Sequence, residues 1–390
     1  MKKSLVFLAS LLTAMVVQSF IWSNFEYPDK YMWVDQARYI ATKNPEAFNK
    51  FTAYGHPGTV VVEIAIIAHY LFDIPYVTAS NGGLAIFNSF TIAACITLCF
   101  ILRPKSTWYL VAGSLLVFNR LFMASTPPTA AASPLVVLLF LITLWLYEHA
   151  KKMRTWPFVF WGIVAGLSAS SRTDITGVIA LPLLFFMAIR LDWKKIAIMV
   201  ASAALSFYIS NPFMWLRPLG HMYDLVAEVH MHYADFYAIH LSLWAVLLIS
   251  PLAIISIALA ILIIFKRKKI PPVIAPQFLI LMLAITAGIS AILLTARLQS
   301  QHYFFPLAMM WETFLPLFIL KLLPHSTFNF LHSEKEQAKM RRLVTITVIT
   351  ILIGAQITLI IHMFFLPEII FICPKNSHYL FCNATTPMVW

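Results

Sequence analysis

Long apolar runs recur along this chain, each about 18 to 22 residues and separated by short polar breaks. Such runs belong in lipid. There each backbone amide must be satisfied within its own segment, so the runs are expected to be helices. The fold class expected is all-α: a polytopic helical membrane protein of roughly 11–13 transmembrane segments, forming one integral membrane domain over residues 1–390. Composition agrees, with 61% hydrophobic and 11% charged residues and a mean hydropathy of +0.81. A soluble chain of this length could not cover its core with so little polar surface.

The first run, Met1 to Trp22, has a basic start and no small-x-small cleavage site. It is expected to remain as an uncleaved span with a cytoplasmic N-terminus. The further expected spans are Thr59–Ile74, Leu84–Leu102, Trp108–Ala124, Pro134–His149, Pro157–Ser171, Gly177–Ile189, Ile196–Ser210, Leu241–Phe265, Pro276–Ala296, Tyr303–Leu322 and Leu343–Met363. Residues 23–58 and 211–240 are expected as external loops, 323–342 as a cytoplasmic loop and 365–390 as an external tail.

The formal charge of +12 does not point to nucleic acid. The basic residues form no single patch; they lie in short clusters between apolar runs, from Lys2-Lys3 through Arg103 and Lys105, Lys151 to Arg154, Arg190 to Lys195 and Lys266 to Lys269 to Lys335–Arg342. That is the positive-inside pattern, which sets orientation. The alternation holds from Lys266–Lys269 back to Arg103 and fails if Thr59–Ile74 crosses fully. Either that segment is re-entrant or interfacial, or one of the two short runs around Arg172 does not cross. Cys95 and Cys99, a helical turn apart, fit small buried hydrophobes. Cys373 and Cys382 could close a short loop by a disulfide if the tail is external; a metal site there lacks further ligands.

Four segments on the external side carry polar residues. The first is Trp33–Gly58, with Asp35 near its start and His56-Pro57 near its end. The second is Ser170-Ser171-Arg172-Thr173-Asp174. The third runs from Asn211 through Trp215 and Arg217 to His221, His230, His232 and His240. The fourth is Arg297 to His302 and Tyr303, leading into Phe304-Phe305-Pro306. Charges at membrane depth are costly, so Arg172 and Asp174 are expected to face protein or a water-filled cavity; a salt-bridged pair at a helix boundary and a substrate role both fit them. His230 and His232 are spaced as on one face of a strand, yet no acidic motif with metal-ligand spacing joins them, and no metal site is assigned. No cofactor is implied, and without an acidic pair a divalent cation is unsupported.

Together these segments supply one acid (Asp35), cations (Arg172, Arg217 and Arg297, with His302) and aromatics (Trp33, Tyr39, Trp215 and Tyr303). A carboxylate can take the proton from an attacking hydroxyl. Cations can hold a phosphate and stabilise it as it leaves. Aromatic faces can stack on a sugar. At a lipid boundary, that set fits glycosyl transfer from a lipid phosphate.

Four short motifs carry a family resemblance. Asp35-Gln36-Ala37-Arg38-Tyr39 resembles the D-E-A-x-Y motif in the first external loop of GT-C glycosyltransferases, the superfamily of protein O-mannosyltransferases and lipid A aminoarabinose transferases. Tyr54-Gly55-His56-Pro57-Gly58 resembles their H-P-P motif, Ser171-Arg172-Thr173-Asp174 a T-R-P-D-G variant, and Gln301–Pro306 the R-Y-x-x-P motif that opens a late span. The resemblance implies a polyprenyl-phosphate sugar donor used at the outer face of the membrane, with Asp35 as general base. His56 and Tyr39, beside Gln36, would shape the pocket, and Arg172 and His302 would meet the donor phosphate. The chain departs from the pattern at Gln36, Gly58 and His302, where the family has an acid, a proline and an arginine. Ser125-Thr126-Pro127-Pro128 also lacks the aspartate that often follows the family's T-S-P-type segment, and no sizeable external C-terminal domain is expected.

The expected function is therefore an inverting glycosyltransferase of the cell (inner) membrane, multi-pass, with its active site on the periplasmic side. The acceptor is an envelope glycan, lipid or protein, and membrane lipids are the other partners. A transporter or flippase of a lipid-linked sugar is the alternative from another class; it expects charges along a path through the bundle, whereas these gather at one face. A polysaccharide polymerase or ligase would use basic residues in a large external loop, which Asn211–His240 keeps open.

Overall fold

The computed structural model describes residues 2–24, 59–104, 106–122, 125–149, 153–211, 219–220, 222–223, 250–266, 274–295 and 301–322, with scattered positions between 333 and 357. Among the described residues all regular structure is helical. In chain order the helices are α1 (Lys2–Asn24), α2 (Thr59–Phe72), α3 (Tyr76–Leu102), α4 (Trp108–Val117), α5 (Pro127–His149), α6 (Trp156–Ser171), α7 (Thr173–Ala188), α8 (Trp193–Ile209), α9 (Pro251–Phe265), α10 (Pro276–Thr295) and α11 (Phe305–Leu322). Short 3-10 turns at Arg120–Phe122 and Gln301–Phe304 precede α5 and α11.

Among the described residues three helices, α1, α3 and α5, are long and apolar enough to cross a membrane. Their apolar windows are 17%, 61% and 94% buried, which orders them from the periphery to the centre. Apolar all round, α5 is a helix that must be enclosed, and it packs against α3, α6, α7 and α11. Pro127 and Pro128 occupy its first turn, where a missing N–H costs nothing. At Pro134, inside the helix, the carbonyl accepts the Cys95 thiol of α3 at 3.5 Å. Cys95 and Cys99 are both free and buried, as small apolar side chains would be.

α6 and α8 share a seam of small residues. A Cβ built at Gly162 would stand 2.5 Å from Met199 O, and one at Gly166 2.5 Å from Ala203 O. Glycine at that four-residue interval lets the backbones approach, with Ser202 and Ser206 facing it from α8. One turn further along α6, Ser170 meets Ser210 at 2.5 Å.

The two ends of the bundle differ. At one end Arg103 forks onto Glu148 at 2.9 and 2.7 Å, tying the C-termini of α3 and α5. Arg190, just past α7, lies 3.8 Å over the Tyr147 ring and donates to its hydroxyl at 2.7 Å. Asp192 caps α8 there by accepting the Lys195 N–H. At the other end lie Arg172, Asn211 and Tyr303.

Several expected spans have different bounds. α5 starts at Pro127 rather than at Pro134, because the Pro-Pro pair suits a first turn and Pro134 is absorbed into the helix. Trp108–Ala124 is not one span: α4 ends at Val117 and the chain resumes as a 3-10 turn. Within the expected span Leu241–Phe265, α9 begins at Pro251 with Ser250 as its cap. α11 begins at Phe305 after the turn holding Tyr303. In the expected loop 323–342, residues 336, 339 and 340 are helical, and the Ser333 hydroxyl accepts the Glu336 N–H at 3.2 Å. α2 has 14 residues and α6 and α7 have 16 each; at about 1.5 Å per residue all three fall short of a hydrocarbon core of roughly 30 Å.

Candidate functional site

Arg172 separates α6 from α7 and belongs to both. Its backbone is extended, with φ −147° and ψ 101°. Its N–H donates to Ser168 O at 2.8 Å, closing α6, and its carbonyl accepts the Thr176 N–H at 3.2 Å, opening α7. A single-residue break of this kind turns the side chain inward between two helix ends. The guanidinium is 1% exposed. Nε and one terminal nitrogen fork onto Asp174 at 3.1 and 2.7 Å. The other terminal nitrogen donates to Thr129 Oγ1 of α5 at 2.8 Å.

Tyr303 completes the enclosure, its ring centroid 4.5 Å from the Arg172 guanidinium carbon. Two of the four polar segments, far apart in the chain, therefore meet at one point. Thr129 accepts from a group that can only donate, so its own proton is available to Thr126 Oγ1, 3.0 Å away. Beside this cluster the fully buried Asn211 donates to Ser170 Oγ at 2.7 Å and to Phe207 O. The first residue of the third segment is thus anchored two residues from Arg172. Asp174, 14% exposed, stands in the first turn of α7, where the helix dipole favours an anion.

Burying a guanidinium is costly unless its donors are matched. Here the pair expected at a helix boundary is present and faces protein. Its planar fork fits a phosphoryl group in the same bidentate geometry as it fits Asp174. A phosphate reaching Arg172 would exchange with Asp174 rather than add to it.

A second charged cluster escaped the sequence reading. Glu312 lies seven residues beyond Phe305, about 10 Å along α11 at 1.5 Å per residue, and is 0% exposed. Its carboxylate accepts from Arg120 at 3.0 Å, from Asn119 at 2.8 Å and from the Ser250 hydroxyl. Asn119 also accepts the Leu121 N–H at 3.0 Å, and Ser250 accepts the Ala253 N–H at 3.0 Å. Both interruptions of the expected spans, after α4 and before α9, thus close onto one carboxylate. The signal was present: a lone acid in the apolar run Tyr303–Leu322 and a lone base in Trp108–Ala124 each need a partner. Charges do not all gather at one face, because this pair lies within the bundle.

His302 sits in the 3-10 turn before α11; its side chain lies outside the described residues. So do Asp35, Gln36, Tyr39, His56, Arg217 and Arg297, together with Trp33, Trp215, His221, His230, His232, His240, Cys373 and Cys382. No family model matches this chain, and no curated protein matches it either.

Proposed function

We propose that this chain is a polytopic membrane glycosyltransferase that moves a sugar from a polyprenyl-phosphate donor to an envelope glycan, lipid or protein acceptor. In this reading the acceptor oxygen bonds to the anomeric carbon as its proton passes to Asp35. The bond from that carbon to the phosphate oxygen breaks, and the phosphate leaves carrying the electron pair. Arg172 and His302 receive that phosphate, with Arg217 and Arg297 as further cations for it; Gln36, Tyr39 and His56 shape the sugar pocket, and Asp174 holds the Arg172 fork until the phosphate takes its place.

The observation that carries the reading is the approach of Arg172 to Tyr303. These residues belong to two of the four motifs, and a transferase of this type needs its cation and its aromatic surface at one site. The experiment is mass spectrometry of envelope lipids and glycans from cells carrying wild-type protein, Asp35→Ala or Asp35→Asn. One sugar should be missing in both variants while the protein is still found in the membrane. An unchanged glycan profile in both would remove Asp35 from the mechanism.

Transport of a lipid-linked sugar is favoured by one observation, the Arg120–Glu312 pair inside the bundle. Purified protein in vesicles distinguishes the two readings. Translocation of a lipid-linked sugar with no glycosyl product would support transport, and product formation would support transfer.

A further inference from the structure

We propose that Glu312 is a positioning residue for Arg172, acting through Asn119, Leu121, Ser125, Thr126 and Thr129. The consequence for sugar transfer rests on the function proposed above; the coupling itself does not. The Glu312 carboxylate fixes Asn119 and Arg120 by direct hydrogen bonds of 2.8 and 3.0 Å. Asn119 in turn fixes Leu121 through its backbone N–H, and the carbonyl of Leu121 accepts the Ser125 hydroxyl at 2.6 Å. Ser125 adjoins Thr126, whose hydroxyl meets that of Thr129, and Thr129 accepts from Arg172.

Every residue on this path is buried. Polar groups so enclosed hold one geometry, because leaving any of them unpaired costs more than the bond gains. Helix α11 then acts at both ends of the path. It supplies Glu312 at one point and, through the turn ahead of it, Tyr303 against the Arg172 guanidinium at the other. A shift of α11 along its axis would move both contacts together.

The test is a double-mutant cycle on the full chain in detergent, read as the midpoint of thermal unfolding. The variants are Glu312→Gln, Thr129→Val and the pair combined. Coupling predicts that the combined fall is smaller than the sum of the single falls by at least about 2 °C. A sum that matches within error overturns the proposal. Ser250→Ala, which removes one donor to the same carboxylate, replaces Glu312→Gln under the same criterion if that variant does not accumulate. Glu312→Gln combined with Asp192→Ala, at the far end, must add.

A second readout separates positioning from bulk stability. Farnesyl phosphate is titrated against the thermal midpoint, and Glu312→Gln and Thr129→Val should each weaken its apparent Kd roughly tenfold, with no further loss when combined. An undisturbed Kd in Glu312→Gln overturns the positioning role. If the wild type does not bind farnesyl phosphate, the phosphate-donor reading fails, and the unfolding cycle alone still decides the coupling.

Discussion

Two buried arginine–carboxylate pairs organise this molecule in opposite ways. Arg172 and Asp174 are two residues apart, joined across a single helix break, and the acid keeps 14% of its side-chain surface. Arg120 and Glu312 are 192 residues apart, and the acid keeps none. The first pair can form as soon as α6 and α7 meet. The second exists only once α4, α9 and α11 have packed, because Asn119, Arg120 and Ser250 come from two different interruptions. The local pair is therefore set by one helix break, whereas the long-range pair is bound into the packing of the bundle.

The largest expected effect tests that contrast directly. Glu312→Ala leaves Arg120 buried without its acid and should cost about 3–5 kcal/mol, seen as a steep fall in the thermal midpoint in detergent. Asp174→Ala should cost about 1–3 kcal/mol, because Thr129 and Tyr303 still contact the guanidinium. Equal falls would break the comparison.

An intermediate effect is expected at the α6–α8 seam, which ends beside Arg172 and is remote from Glu312. Gly166→Val drives a side chain into Ala203 O and the backbone of Phe207, and overpacking of that kind costs about 1–3 kcal/mol. Gly177→Ala, in α7, meets no heavy atom within 4 Å and should be neutral or stabilising by up to about 1 kcal/mol. Thermal midpoints of the two variants should therefore move in opposite directions or differ clearly. A seam variant as mild as Gly177→Ala would show that the close approach is not required.

The smallest effect lies at the far end of the bundle. The backbone N–H of Lys195, then its ammonium group, holds the Asp192 carboxyl below its ordinary 3.8. A depressed acid stabilises the fold above its unfolded value, and that contribution is lost as pH falls through the lower folded value. Asp192→Ala should therefore lower helicity slightly at neutral pH and converge with wild type in strongly acidic solution. Circular dichroism against pH is the measurement. Loss of the difference on raising pH instead would reverse the sign of this contribution.

The legible and illegible parts of the sequence divide along the same line. Arg172 and Asp174 stood out because two opposite charges lay two residues apart between apolar runs. Their cost at membrane depth called for protein or a water-filled cavity around them and left a salt-bridged pair and a substrate role both open. Tyr303 stood out within a motif, but its seat over Arg172 required the packing of α11. Apolar runs gave the helices but not their interruptions. Nothing in the run Trp108–Ala124 says that Asn119 will turn its amide onto Glu312, since that partner lies 193 residues away. Leu241–Phe265 likewise looked continuous, although Ser250-Pro251 in it is an ordinary helix start. Glu312 itself was visible as a charge in a hydrophobic segment, but its partners Asn119 and Arg120 lie 193 and 192 residues away in the chain.

The two prolines that open α5 have a consequence for Arg172. A helix start normally presents several amide hydrogens, and nearby hydroxyl side chains are drawn into serving them. Pro127 and Pro128 bring no such hydrogens. Thr126 is thereby released from much of that local demand; its hydroxyl meets Thr129 Oγ1, which accepts from a guanidinium delivered by another helix. An imino acid with nothing to donate leaves its neighbours' lone pairs for a distant cation.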